Sequence, residues 1–503
     1  MLFSILHRLP LAARDMCRMT LMFASICLGV IINIADVHAR STPKKASVIT
    51  AGVLPPTVRA ALRQAGVKPS SMSAVVERID AARPILSVNA RRAMIPASTI
   101  KLVTTFAGLS ILGPDFRWQT KAYADGELKN GVLRGNLYIK GSGDPKLIPE
   151  ELIDLVEQIR QAGVVRIEGD LVLDKSYFAD STRYVKWFDE NANAPYKVNP
   201  DPLLYAFKSL TFTLTPQVDG KMLISATPPL EQLYITDTLR ITPGLCAGWP
   251  AAVVPAVQFA ADGSTRVAFS GEYPLACGTR VKSVSVLDHT QFFARGFLAL
   301  WRQSGGTFSG HVREGPYLSE ARLVGLHKGP VLAEIVRDIN KFSNNSMANN
   351  LFLTIGAQSA KLPADLAKSV GAIKQWLRRT GLVMPEFFIS NGSGLSNEAR
   401  ISARSLAALL RAANQSPVAQ AFVESFPIVG VDGTMRYRLL NTPLVGRARI
   451  KTGTLNEVRA IAGYVSAANG ASYIVVSMIN DPRAPAAQAA HDALLEWVYQ
   501  RPH

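Results

Sequence analysis

Ser98 and Lys101 stand three residues apart in Ser98-Thr99-Ile100-Lys101. On a helix that spacing puts a hydroxyl and an amine on one face. A serine hydroxyl is a weak nucleophile and needs a base to take its proton. A lysine buried beside apolar or cationic neighbours loses enough basicity to serve as that base. The start of a helix also favours negative charge developing on the serine. Two further motifs follow in order, Ser343-Asn344-Asn345 and Lys451-Thr452-Gly453-Thr454. Ser343 can relay a proton to a leaving amine, and the Asn345 amide can hold a substrate carbonyl. Lys451 and Thr452 offer a charge and a hydroxyl suited to a terminal carboxylate. Gly453 lets a substrate backbone come close. The backbone N–H groups of Thr454 and Ser98 can form an oxyanion hole.

Each motif has decoys in the same chain. Ser41-Thr42-Pro43-Lys44 repeats the first spacing, but it sits in a polar leader with no helix to hold it. Ser87-Val88-Asn89 repeats the second but precedes Ser98 and falls in a hairpin. Arg379-Thr380-Gly381 resembles the third but follows a helix, where glycine reads as a C-cap. The retained three occur in order, each in the context its chemistry needs: a helix start, a loop before a helix, and a strand.

The elements that must position them are legible in outline. A short helix is expected over 51–66. Residues 74–79 and 85–88 flank a turn and read as a hairpin. Pro96-Ala97-Ser98 opens a helix with Ile100, Val103, Phe106 and Leu109 on one buried face, ended by Gly113-Pro114. From about 118 to 320, short β-like runs alternate with glycine and proline, which suggests an inserted, mostly β region. Beyond 325 the pattern turns helical. Val331, Leu332, Ile335, Val336 and Ile339 form an apolar stripe, with more helices expected near 347–358, 366–380 and 402–413. A β-meander over 444–451, 458–465 and 472–478 precedes a last helix near 485–499.

Composition agrees with an exported globular protein. The chain has 503 residues, enough for two to four domains, and 48% are hydrophobic against 18% charged. Formal net charge is +17, which suits anionic surroundings. The basic residues are spread out, and no zinc-finger or RNA-binding signature appears, so nucleic-acid binding is not expected. Arg8, Arg14 and Arg18 precede an apolar run over 19–35, and Val37-His38-Ala39 supplies a small-residue cleavage site. The run is near the lower limit for a membrane anchor, and the site after it favours a cleaved leader. Translation could also start at Met16 or Met19. Cys17 and Cys27 would leave with the leader. Cys246 and Cys277 would remain, as a disulfide in preference to two free thiols.

On these motifs the chain resembles the class C low-molecular-mass penicillin-binding proteins, the D-alanyl-D-alanine carboxypeptidase/endopeptidase family. Supporting stretches are Pro96-Ala97-Ser98, Gly141-Ser142-Gly143-Asp144-Pro145, Asn340-Lys341-Phe342-Ser343, Gly392-Ser393-Gly394 and Gly430-Val431-Asp432-Gly433-Thr434. The long gap between Ser98 and Ser343 resembles that family's inserted accessory domains. The resemblance implies an α+β fold, with a five-stranded antiparallel sheet between helical layers and two inserted, mostly β domains. It implies a leader over 1–39, peptidase segments over 48–119 and 319–503, and an accessory domain over 120–202 and 293–318. A second accessory domain, 203–292, would be inserted in the first. It implies Lys101 as base for Ser98, Ser343 as proton donor, and Asn345, Lys451, Thr452, Gly453 and Thr454 as substrate holders. Peptidoglycan peptides would be the substrates, β-lactams covalent inhibitors, and the periplasm the location, with the basic surface suited to wall or membrane association. Two positions depart from the pattern: Asn391 stands where Asp is usual, and Ser346-Met347-Ala348-Asn349-Asn350 is unusually polar.

Rival readings are weaker. A serine β-lactamase needs rapid deacylation, and no E-x-x-L-N-type element lies between Asn345 and Lys451. A non-catalytic wall-binding homologue would have no need of the complete set of reactive residue types. The seven histidines are scattered without metal-site spacing, and no G-x-S-x-G elbow supports a histidine triad. No cofactor or catalytic metal is expected. Carboxypeptidase and endopeptidase action use one apparatus, and the motifs do not rank them.

Overall fold

The computed structural model describes residues 52–81, 83–183 and 194–501. The leader, Cys17, Cys27 and the decoy Ser41-Thr42-Pro43-Lys44 lie outside the described residues. The centre of the catalytic half is a five-stranded antiparallel sheet. Its strands are β1 (Met72–Arg78), β2 (Pro84–Val88), β3 (Ala448–Leu455), β4 (Val458–Ser466) and β5 (Ser472–Asn480), in the order β3-β4-β5-β1-β2. Strands from both ends of the sequence thus share one sheet, with β1 paired to β5 from Met72↔Ile479 to Arg78↔Tyr473.

Alternation along the strands explains the layers, since successive side chains point to opposite faces. Val75, Ala460, Ala462, Ile474, Val476 and Met478 face one core. That core is filled by the helices Lys101–Leu112, Leu332–Phe342, Asn345–Ser359, Leu366–Arg379 and Ala403–Asn414. Met72, Ala74, Val76, Ile461, Val475 and Ile479 face the other, covered by Pro56–Gln64 and Gln488–Tyr499. The sheet is buried on both sides, so its strands read as nearly continuous apolar runs. The register is held because a one-residue slip would exchange the two faces.

The ends of two helices are capped locally. Ser402 accepts from Ser405 N at the start of Ala403–Asn414. Gly381 takes φ +71 just past Leu366–Arg379, which accounts for the decoy Arg379-Thr380-Gly381 as a helix end. The sequence reading closes β3 at Lys451, whereas the strand runs on to Leu455. Thr452, Gly453 and Thr454 continue the ladder opposite Ile461, Ala460 and Arg459.

Between the two catalytic segments the described chain forms four further sheets. One has five strands, including Arg117–Ala124, Leu137–Gly141, Leu171–Asp174 and Arg322–Val331. A second has four short strands, and two more have three strands each. The strand Arg322–Val331 pairs with Arg117–Ala124 and passes directly into the helix Leu332–Phe342. Cys246 and Cys277 are joined by a disulfide. Two helices here, Pro149–Gln161 and His289–Gln303, are absent from the sequence reading. Their signals were present: Leu152, Leu155, Val156 and Ile159 recur at helical spacing after Pro149, and Asp288 caps the other by accepting from Gln291 N. No helix among the described residues is long and apolar enough to cross a membrane.

The polar stretch after the second motif ties the halves together. Asn350 is fully buried. Its Nδ2 donates to Gly143 O and Asp201 O, both at 3.0 Å, and its Oδ1 accepts from Asp201 N at 3.2 Å. Asn350→Leu keeps the volume but leaves three buried backbone groups unpaired. It should destabilise the protein by about 2 kcal/mol or more, read as a lower urea midpoint with the slope unchanged.

Candidate active site

The nucleophile sits where a tight turn becomes a helix. Residues Ala97–Ile100 form a 3₁₀ turn that leads into Lys101–Leu112. The Ser98 N–H falls in the first turn, where helix N–H groups lack an intrahelical acceptor. Ala97 is held at φ +46, a strained conformation for a residue with a Cβ. Its neighbours enforce it. A Cβ on Gly394 would lie 2.1 Å from Ala97 O, and one on Gly453 would lie 2.7 Å from Pro96 O. Gly453 was read as making room for substrate; its close neighbour is the nucleophile's own segment.

Lys101 is fully buried. Its Nζ lies 2.9 Å from Ser98 Oγ, 2.6 Å from Asn345 Oδ1 and 2.6 Å from Ser393 O. A neutral amine has two N–H donors and one lone pair. Asn345 Oδ1 and Ser393 O can only accept, so they take the two donors, and the lone pair is left for the hydroxyl of Ser98. Burial, and secondarily the charge of Lys451, holds Lys101 well below the ordinary lysine range.

The second motif is a joint between helices. Ser343 ends Leu332–Phe342 in the left-handed region at φ +56. Asn344 caps the next helix by accepting from Met347 N at 3.1 Å. Asn345 begins that helix, and its Nδ2 donates to Tyr196 O at 2.9 Å. On β3, Lys451 is also fully buried, and its Nζ donates to Ser343 Oγ at 2.8 Å and Thr452 O at 2.9 Å. Burial lowers it to about 7. Thr452 Oγ1 lies 2.9 Å from Thr434 Oγ1. The loop carrying Thr434 is bolted to the end of Leu332–Phe342 by Lys341 Nζ–Asp432 Oδ2 at 2.5 Å.

The edge position of β3 matters for the oxyanion. Ile450 N donates outward to Pro427 O, away from β4. Strand groups alternate with a period of two. The N–H groups of Thr452 and Thr454 therefore share that outward side. Ser98, Ser343, Asn345, Thr452 and Thr454 line one open cleft of about 720 Å³. Tyr196, Gly394, Leu395, Thr434 and Arg459 line it too. No carboxylate lines it among the described residues.

Sequence reasoning named the side chains and missed the supporting carbonyls. Ser393 stands in the Gly392-Ser393-Gly394 stretch that supported the resemblance, and its carbonyl accepts from Lys101. Asn391 shapes that turn: its Oδ1 accepts from Ser393 N, Ser393 Oγ and Gly394 N. An amide oxygen makes these contacts as a carboxylate would, so the departure at Asn391 preserves the turn. The decoy Asn89 is structural, its Nδ2 donating to Met72 O.

A family model for the D-Ala-D-Ala carboxypeptidase 3 (S13) family matches residues 56–501. The chain belongs to the S13 family. It is a serine hydrolase of the class C low-molecular-mass penicillin-binding group. Among S13 relatives, it is 26% identical over 421 residues to D-alanyl-D-alanine carboxypeptidase DacB of Haemophilus influenzae, covering 82% of this chain and 85% of that one. It is 29% identical over 423 residues to the D-alanyl-D-alanine carboxypeptidase of Actinomadura sp., covering 80% and 76%. The crystal structure of penicillin binding protein 4 from H. influenzae superposes with a TM-score of 0.73 at 24% identity, covering 88% of this chain and 99% of that one. The same protein complexed with a β-lactam gives 0.68 at 24% identity, covering 88% and 100%.

A pH test follows from the two lysines. Protonated Lys101 cannot accept the Ser98 proton, so acylation by penicillin should slow as pH falls through its lowered pKa. Lys451→Gln removes a charge that contributes to the lowering. The Lys101 pKa should rise, and the acid limb of the acylation rate should move to higher pH. An unmoved limb would mean that Lys451 exerts no field on Lys101.

Proposed function

We propose that this S13 enzyme cleaves the D-Ala–D-amino-acid bond of peptidoglycan stem peptides and cross-links through an acyl-enzyme on Ser98. The arrangement around Lys101 Nζ, with both donors engaged and the remaining position 2.9 Å from Ser98 Oγ, carries the reading. Lys101 takes the Ser98 proton as Oγ attacks the penultimate carbonyl. The tetrahedral oxyanion is held by the N–H groups of Ser98 and Thr454. The proton taken by Lys101 reaches the departing amine by way of Ser343, whose hydroxyl is oriented by the donor Lys451 Nζ, so Lys101 is neutral again. Lys451 and Thr452 hold the substrate carboxylate, and Asn345 holds a peptide carbonyl. Water then attacks the ester, with Lys101 as base, and releases the shortened peptide and free Ser98.

A β-lactam enters by the same attack, and ring opening leaves its leaving nitrogen tethered. The absence of a carboxylate among the described cleft residues supports slow release of that adduct, which favours a penicillin-sensitive peptidase over a β-lactamase. The separate small sheets between the catalytic segments support an accessory division over 120–202, 203–292 and 293–318, with one exception. Arg322–Val331, placed by the sequence reading in the peptidase segment from 319, pairs into the accessory five-stranded sheet, so that segment resumes near Leu332. The apolar run and small-residue site at the start of the sequence support export to the periplasm. The net charge of +17 suits peripheral association with anionic wall or membrane.

Intact-mass spectrometry after penicillin treatment should show one penicilloyl adduct, and Ser98→Ala should show none. On purified muropeptides Ser98→Ala should lose at least about 10³-fold of D-Ala release. Rapid penicillin turnover without an adduct would move the assignment to a β-lactamase. Inertness of folded wild-type protein would point to a non-catalytic homologue.

A further inference from the structure

Away from the cleft, one polar cluster has no role in the chemistry above. Glu151 and Asp154 are three residues apart on the helix Pro149–Gln161, which places both carboxylates on one face. His327 faces them from the strand Arg322–Val331. One ligand atom from each of the three residues lies within 4.8 Å of the other two. No lysine or arginine among the described residues forms an ion pair with either carboxylate; their ion-pair contacts are both to His327, and Lys146, paired with Asp338, acts on Glu151 only at longer range.

The histidine points to a missing occupant. Its side chain is 4% exposed, and its Nε2 has no hydrogen-bond partner. That atom lies 3.2 Å from Glu151 Oε2, without the direction a hydrogen bond needs. Directly opposite His327 in the ladder stands Thr120, fully buried, with its Oγ1 also unpartnered. Buried polar atoms are ordinarily satisfied by protein, water or an ion. Here two orphans lie opposite each other on paired strands, and one of them, His327, stands beside two carboxylates that no lysine or arginine pairs among the described residues.

We propose that Glu151, Asp154 and His327 form a site for a divalent transition-metal ion. One imidazole nitrogen and two carboxylate oxygens are a donor set that zinc accepts, with bonds of about 2.0–2.2 Å. Such bonds put neighbouring ligand atoms about 3.4 Å apart around a tetrahedral ion. Asp154 is 59% exposed, so rotation of its side chain closes the set, and water fills the fourth position from the solvent side. The site would be structural. It would pin Pro149–Gln161 to the strand that leads directly into the helix ending at Ser343. Glu151 and His327 are 176 positions apart in the sequence, so no motif spacing could reveal the set.

The test uses the full mature chain without an affinity tag, stripped with chelator and dialysed against zinc chloride. Elemental analysis should find about one zinc per chain, and the melting temperature should rise on adding zinc. Asp154→Asn and His327→Gln should each abolish both effects. Penicillin acylation of Ser98 checks that the variants are folded, because none of the three residues lines the cleft. Magnesium should not replace zinc, since it prefers six oxygen ligands. Wild-type protein that retains no zinc above buffer would overturn the proposal. So would zinc occupancy that survives in both folded variants.

Discussion

Two lysine side chains buried in one cleft set the terms for the rest of this structure. A buried ammonium is costly unless it is paired, and two in one site also repel each other. Neither Lys101 nor Lys451 has a carboxylate within ion-pair distance among the described residues. Both are instead surrounded by neutral oxygens. For Lys101, with the charge of Lys451 nearby, that environment favours the neutral amine, which is the form able to accept a proton from serine. A nearby Asp or Glu would have stabilised the fold locally and disabled the base.

Much of the surrounding architecture keeps those oxygens in place. The Ser393 carbonyl reaches Lys101 because Asn391 folds the loop back on itself and Thr104 Oγ1 donates to Gly392 O at 2.9 Å. Asn345 is oriented from both ends of its amide, with Oδ1 toward Lys101 and Nδ2 toward Tyr196 O. The latter contact brings the inserted region to the rim of the cleft. Gly394 in its loop and Gly453 on β3 let the backbone press on Ala97 and Pro96, and the strained Ala97 presents Ser98 at the helix start. The central sheet fixes β3 at its edge, where alternate N–H groups are free to face the substrate.

The legibility of these features in the sequence follows the range of the interaction. Ser98 with Lys101, the Ser402 cap and the Gly381 helix end are local, so spacing and residue type reveal them. The sheet strands were found because burial on both faces leaves long apolar runs. The continuation of β3 past Lys451 was missed because Thr452, Gly453 and Thr454 lack an apolar pattern, and only the ladder to Ile461, Ala460 and Arg459 makes them a strand. The helices Pro149–Gln161 and His289–Gln303 were overlooked inside a stretch dominated by β-like runs and turns. Backbone acceptors such as Ser393 O and Tyr196 O are invisible to motif reading, because any residue carries the same carbonyl. The link from Asn350 to Gly143 and Asp201 is likewise set by tertiary contact.

The central claim is that the resting enzyme holds Lys101 as a neutral amine aimed at Ser98. Neutron diffraction from crystals of the penicillin-free protein, exchanged into mildly alkaline deuterated buffer, observes this directly. The account predicts two deuterons on Lys101 Nζ, directed at Asn345 Oδ1 and Ser393 O, and one on Ser98 Oγ directed at Nζ. Three deuterons on Lys101 Nζ, with one directed at Ser98 Oγ, would contradict it and require another base.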